Sequence, residues 1–436
     1  MNEPRTLTHT RGTGTPRERW LDRISRRAVL SKLGRLDLGE LTILEGDARH
    51  VLGMPTERCP LRATLRVQDA RFWGMVALGG TNGAAEAYMQ GFWSADDLTD
   101  LVRLLVRNRS ALEAMEGGWA GLARPFLRVA HRLNRNTIEG SRRNIAAHYD
   151  LGNDFFSLFL DPTMMYSCAF FEHEGQSLEA ASRAKLDRIC RKLSLGPEDH
   201  VLEIGTGWGG FAIHAARDYG CRVTTTTISR EQHALAAERI RAAGLEDRIT
   251  LLLQDYRDLE GTYDKLVSIE MIEAVGHEFY ETFFRAVDER LAPDGMALIQ
   301  AIVIADQHYD RARREVDFIK KYVFPGSCIP SVTGLATAMT RASSLRLHDL
   351  EDLTPHYATT LRRWRENFFA NLDAIRALGY PETFVRMWEF YLCYCEGGFA
   401  ERFIGDVHLV LTKPDARPPG RETAASPPGP EAGVTA

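Results

Sequence analysis

From about residue 150 to 412, apolar strand-like runs alternate with helix-length segments, which predicts a doubly wound α/β fold with a mainly parallel sheet. Two further observations refine this. The first of those strands ends in a turn holding four glycines in six positions, Gly205, Gly207, Gly209 and Gly210. Before residue 120, strand and helix signals mix without that alternation, so a smaller N-terminal α+β domain is expected in front. The 436 residues also exceed what one hydrophobic core usually carries.

Taken in order, residues 1–15 are polar and Gly/Thr-rich, and 414–436 are Pro/Ala/Gly-rich, so both read as disordered tails. The small domain is placed at 16–120. There "LRATLRV" and "FWGMVAL" read as strands, and "SADDLTDLVRLLVRN" as a helix capped by Ser94 with Asp96 and Asp97 in its first turn. A basic helical connector follows at 121–147, with Arg124, Arg128 and Arg132 spaced by four on one face. The larger domain, 148–413, offers six strands: "HVLEIG", "CRVTTTTIS", "RITLLLQD", "DKLVSIEM", "MALIQAIVI" and "DVHLVLTK". "GGFAIHAARDYG" and "REQHALAAERIRAAG" are helices between them.

Composition narrows the function. A net charge of −5 gives no global reason to expect nucleic acid, but residues 1–35 carry nine Arg or Lys against three acidic residues. "RERWLDRISRRAVLSKLGRL" interleaves those arginines with apolar residues, a weak amphipathic pattern suited to an anionic membrane surface. The seven cysteines form no CxxC pair, which argues for reduced thiols in a cytoplasmic protein. No His/Cys/Asp/Glu cluster has metal-ligand spacing, and no apolar run approaches a membrane span.

The glycine turn sits where an open parallel sheet collects ligands, at the carboxyl end of a strand. Its spacing, G-x-G-x-G-G, is not the dinucleotide fingerprint, and no basic residue lies within it to meet a phosphate. A nucleoside without phosphates fits better, with Glu203 as a polar anchor. "EIGTGWG" resembles the first motif of class I S-adenosylmethionine-dependent methyltransferases, a Rossmann-like fold.

Six more motifs occur in order: "AAHYDLGNDFFSLFLDPTMMYSCAFF" (146–171), "TTISREQ" (226–232), "SIEMIEAVG" (268–276), "IKKYVFPGSCIPS" (319–331), "HYATTL" (356–361) and "YLCYCEGGF" (391–399). Together they resemble the cyclopropane-fatty-acyl-phospholipid synthase family, including mycolic acid cyclopropane synthases. "EAYMQGFW" (86–93) extends the likeness into the small domain. The resemblance implies methyl transfer from S-adenosylmethionine to a cis double bond of an unsaturated phospholipid acyl chain at the inner membrane surface, by a peripheral cytoplasmic enzyme, with a homodimer as a further implication. The resulting carbocation then loses a proton to a bound bicarbonate and closes to a cyclopropane.

Carried over residue by residue, the resemblance gives Cys168, Glu273, Ile302 and Tyr357 as the bicarbonate site. Gln300 and Ala274 stand where better-known members carry histidines. Glutamine donates a hydrogen bond but does not shuttle a proton near neutral pH. That keeps open an olefin methyltransferase giving a methylene or methyl-branched product; a lipid-binding protein without chemistry is a third reading. For the cofactor the resemblance implies Tyr166, Ser167, the Gly205–Gly210 loop, Thr227 through Ser229 to Gln232, and Asp255 with Tyr256. Tyr166, Phe170, Phe171, Tyr322 and Phe324 form an aromatic set that suits either the shelter of a cation or the wall of an acyl tunnel.

Overall fold

A computed structural model describes residues 20–109 and 152–418. The expected connector at 121–147, with Arg124, Arg128 and Arg132, lies outside the described residues. So do the first tail and most of the second.

The small domain runs α1 (Trp20–Leu33), β1 (Gly39–Glu45), β2 (Ala48–Met54), β3 (Arg62–Val67), α2 (Arg71–Met89), β4 (Trp93–Ala95) and α3 (Leu98–Arg107). Its sheet has the order β2-β1-β3-β4, with β1 and β3 parallel. Two local expectations are corrected. "FWGMVAL" is helical, not a strand: Phe72, Trp73 and Val76 are buried together on one face of α2. A short continuous apolar run satisfies either period; here the chain is helical on both sides of a kink at Gly80, whose φ of 57 and ψ of −134 are non-helical. Helix α3 is capped by Asp97, whose carboxylate accepts from the Asp100 N–H at 2.8 Å. Ser94 belongs to β4, where its hydroxyl accepts from Gln68.

The larger domain supplies β5 (His200–Ile204), β6 (Arg222–Thr227), β7 (Ile249–Leu253), β8 (Tyr263–Ile269), β9 (Leu291–Ile304), β10 (Arg346–Asp352) and β11 (Ile404–Thr412). Their order is β10-β11-β9-β8-β5-β6-β7. The five strands from β9 to β7 are parallel, and β11 runs antiparallel to β9 and β10. The six expected strands all form. The seventh, β10, was not anticipated because "RLHDLED" is a mostly exposed edge strand with little apolar signal. Strand order reverses between β5 and β8, so the turns after these two strands open into one crevice.

The domains pack through the helix Glu382–Ala400, which lies against α2, α3 and the helix Thr354–Ala370. Its Arg386 is buried, stacks 4.2 Å from the Tyr88 ring, and donates to the carbonyls of Tyr88 and Trp93. Lys321 and Tyr322 reach α2 from the other side, both bonding Glu86. Replacing Arg386 by Met leaves the Trp93 carbonyl without the guanidinium donor and the Tyr88 carbonyl with the Gly91 N–H alone. We expect a loss of about 2–3 kcal/mol in stability, read as a lower urea midpoint at unchanged slope.

Candidate active site

A cavity of about 550 Å³ opens at the crevice and continues between the domains. Its cofactor end is built by the turn after β5. Gly207 there has φ +53, and nothing lies within 4 Å of where a Cβ would stand, so a side chain would intrude on the space a ligand needs. Glu203, Gly205, Gly207, Thr227, Gln232, Asp255, Tyr256, Tyr166 and Ser167 all line this end, as expected.

Their polar atoms are already organised. Glu203 accepts from Thr225 at 2.6 Å, and Thr227 donates to Gln232 at 2.8 Å, which leaves the Gln232 amide nitrogen for a ligand. Asp255 is clamped by Arg257 through Nε at 2.8 Å and Nη2 at 2.7 Å. These residues fit a nucleoside carrying positive charge. Desolvation raises the Glu203 carboxyl to about 8, and a nearby cation would draw it back to the ionised form.

Other expected cofactor residues act one layer back. Gly209 is the left-handed cap of the helix Gly210–Asp218, and Ser229 caps the helix Arg230–Ala242 by accepting from the Gln232 N–H. Gly210 is required by packing: a Cβ would stand 2.6 Å from Met165 Sδ and 2.8 Å from the Thr163 carbonyl.

The reaction end gathers its donors around a residue that the sequence reading did not single out. Cys168 N–H and Tyr357 Oη, two of the residues the resemblance places in the bicarbonate site, converge with Gln300 Nε2 on a side chain of the chain itself. Glu270 Oε1 accepts from Cys168 N–H at 2.7 Å and from Gln300 at 2.8 Å; Oε2 accepts from Tyr357 at 2.6 Å. Two of the donors assigned to a bound bicarbonate, Cys168 and Tyr357, are thus engaged by Glu270, which also lines the cavity, while the third, the Ile302 N–H, goes to Glu273. Glu270 follows β8 with φ +46, a left-handed conformation that costs a residue with a Cβ roughly 1–2 kcal/mol. Glu273 lies beside it. Its Oε1 accepts from the Ile302 N–H, and its buried Oε2 has no hydrogen-bond partner among the described residues.

Burial sets the charge state of this cluster. Glu273 is raised to about 8, first by desolvation and then by the Glu270 charge. Desolvation also raises Glu270 and, further, its neighbour Asp406, while the bonds from Tyr357 and Cys168 pull Glu270 back. Asp406 therefore holds its proton more firmly, and Glu270 is the carboxyl of the two that ionises more readily. Lys185, wholly buried and donating to Ser167 at 2.8 Å, supplies positive potential nearby. The Cys168 thiol is pushed well above its ordinary range by burial, so this residue contributes its N–H rather than a thiolate.

Three of the aromatic set lie elsewhere. Phe170 is sandwiched between His356 and the Arg188 guanidinium, Phe171 bonds His356 through its backbone, and Tyr322 bonds Glu86. None of the three lines the cavity, whereas Tyr166, Phe324 and Tyr391 do. Tyr166 and Tyr391 share a hydroxyl–hydroxyl bond of 2.8 Å. Sequence reasoning missed Glu270, Asp406, His408 and Lys185. Glu270 lay within the quoted "SIEMIEAVG", and its signal was a second carboxylate three residues before Glu273 at a strand end.

Comparison with known proteins agrees with this geometry. The family described as Mycolic acid cyclopropane synthetase matches residues 137–409. The chain belongs to this family. It is 40% identical over 341 residues to the tuberculostearic acid methyltransferase UfaA1 of Mycobacterium tuberculosis, covering 77% of this chain and 79% of that relative. It is 39% identical over 354 residues to the cyclopropane-fatty-acyl-phospholipid synthase of Escherichia coli K12, covering 80% and 88%. Among solved structures, the cyclopropane synthase MmaA2 from M. tuberculosis superposes with a TM-score of 0.59 at 31% identity, over 62% of this chain and 98% of that one. The synthase CmaA1 complexed with SAH and CTAB gives 0.58 at 31%, over 62% and 98%. The chain is an S-adenosylmethionine-dependent methyltransferase of lipid acyl chains with a class I fold. No helix among the described residues is long and apolar enough to cross a membrane.

The raised carboxyls have a thermodynamic consequence. Between the ordinary carboxyl range and about 8, the folded chain holds protons on Glu203 and Glu273 that the unfolded chain has lost. Stability therefore falls as pH rises through that window. Urea unfolding of the free protein is expected to give a lower midpoint at pH 8.5 than at pH 6, with the difference reduced in Glu273→Gln.

Proposed function

We propose that the chain methylates the double bond of an unsaturated phospholipid acyl chain to give a methylene-branched product, with Glu270 as the base. The observation that carries this reading is the capture by Glu270 of Cys168 and Tyr357, two donors expected to hold a bicarbonate, together with Gln300. S-adenosylmethionine supplies the electrophilic methyl group. The alkene π pair bonds the methyl carbon, the C–S bond breaks with its pair on sulfur, and the other olefinic carbon becomes positive. An alkene is a weak nucleophile, so alignment in a dry cavity supplies much of the rate. The Tyr166, Phe324 and Tyr391 rings line that cavity and offer π faces to the cation.

The fate of the cation depends on how promptly a proton leaves. A bicarbonate would bring three oxygens to this cradle. Glu270 brings two, tethered to the wall, and these already accept three hydrogen bonds, which lower their basicity. A base so restrained gives time for a 1,2-hydride shift that moves the charge onto the methyl-bearing carbon. Loss of a methyl proton to Glu270 then yields C=CH2; without the shift the same loss would close a cyclopropane. The relatives' names include both a tuberculostearic acid methyltransferase and a cyclopropane-fatty-acyl-phospholipid synthase.

The test uses the full chain with unsaturated phospholipid vesicles and methyl-labelled S-adenosylmethionine, the fatty acids being analysed by mass before and after catalytic hydrogenation. A product that takes up one H2 supports the branch, and one that takes up none means a ring. Glu270→Gln is expected to lower kcat by about 10²–10⁴-fold. Wild-type turnover should not change between carbon-dioxide-free and bicarbonate-supplemented buffer, and strict dependence on bicarbonate would overturn the assignment of the base.

The same cavity is lined by Leu41, Leu65, Phe72, Val76, Leu101 and Leu105 of the small domain. We assign that end to the distal part of the acyl chain. Val76→Trp is expected to shift preference toward shorter chains, raising KM for an 18-carbon chain more than for a 16-carbon one while leaving S-adenosylmethionine affinity unchanged.

A further inference from the structure

The buried side of Gln300 carries contacts that the reaction does not consume. Both hydrogens of its amide nitrogen are committed, one to Glu270 at 2.8 Å and one to Asp406 Oδ2 at 2.9 Å. Its oxygen lies 3.2 Å from His408 Nε2. Gln300, Asp406 and His408 are each 0% exposed, so no water competes for these atoms. Rotating the amide by half a turn would place its oxygen against two carboxyl groups and withdraw a donor from the base. What fixes the amide is therefore the partner on its far side.

That partner has one proton to give. Burial, together with Lys192, Lys185 and Arg188, lowers His408 well below the usual histidine range, so its ring is neutral. Its Nδ1 is 4.0 Å from Glu351 Oε2, beyond hydrogen-bond reach. Glu351 is instead held by Arg188 and by Lys192, the latter at 2.8 Å. With Glu351 occupied, the ring proton belongs on Nε2, facing the Gln300 oxygen.

We propose that His408 is a positioning residue, whose Nε2–H orients the Gln300 amide so that both of its hydrogens point at Glu270 and Asp406. Its effect on turnover rests on the reading of Glu270 as the base, but its effect on Glu270 itself does not. The other groups facing Glu270 are Cys168, Tyr357, Lys185, Glu273 and Asp406, and none of them touches the Gln300 oxygen.

The test is an infrared titration of the full chain without substrate, the Glu270 carboxyl band being assigned by its loss in Glu270→Gln. His408→Phe is expected to raise the midpoint of that band by about one pH unit, because a donor to the ionised form is lost, whereas His408→Gln keeps a donor and stays near wild type. On dioleoylphosphatidylglycerol vesicles, kcat should fall about tenfold in His408→Phe with KM for S-adenosylmethionine unchanged. An unmoved midpoint in a folded His408→Phe would overturn the proposal. If that variant does not fold, the ring 15N shifts of the unmutated chain decide instead: an Nε2–H tautomer at His408 is expected, and an Nδ1–H tautomer would sink it. Failure of wild type to turn over the vesicles would count against the proposed substrate and leave the midpoint comparison intact.

Discussion

The three hydrogen bonds that Cys168, Gln300 and Tyr357 give to Glu270 join four distant parts of the chain at one carboxylate. The turn before the helix Leu178–Lys192, the end of β8, the middle of β9 and the start of the helix Thr354–Ala370 all end there. A partly buried carboxylate on the wall of an apolar cavity is costly unless its oxygens are satisfied, so this one point constrains the surrounding elements. The left-handed backbone at Glu270 is accepted because the donors over-determine its position. An apolar cavity needs such a wall if a base is to stand beside an acyl chain.

The same dryness governs the charges around it. Glu203, Glu273 and Asp406 are all raised by burial, and the ionised form is steered to Glu270 by its donors and by Lys185. Environment alone thus separates the carboxyls into one that ionises readily and others that keep their protons. The small domain belongs to this arrangement physically, since its core side chains continue the cavity and Arg386 ties its backbone to the helix that carries Tyr391.

Much of the fold was legible because its signals are local. Alternating strands and helices announced the parallel sheet, and "EIGTGWG" placed the cofactor turn at the end of β5. Local ambiguity produced the errors: "FWGMVAL" fits two periods, and "RLHDLED" has too little apolar content to announce an edge strand. In the site, Cys168, Gln300, Ile302, Glu273 and Tyr357 do converge, because ordered motifs carry side-chain roles. Phe170, Phe171 and Tyr322 do not line the cavity, since sequence order gives a residue's neighbourhood but not the side to which its ring turns.

By itself the amino-acid sequence determined the doubly wound fold and the place of the nucleoside site, which depend on short-range pattern, and through the family resemblance it implied a set of donors for an anion. Only the tertiary structure decided which anion those donors receive. Glu270 and Glu273 are three residues apart in one motif and chemically alike, and nothing local separates them. The distinction arises where β8 ends in a left-handed residue that turns one carboxylate toward Cys168, Gln300 and Tyr357 and leaves the other with the Ile302 N–H. It also arises in β11, where Asp406 and His408, far along the chain, close around Gln300. Long-range pairing of strands put these groups within hydrogen-bond distance, and that distance is the physical content sequence order lacks.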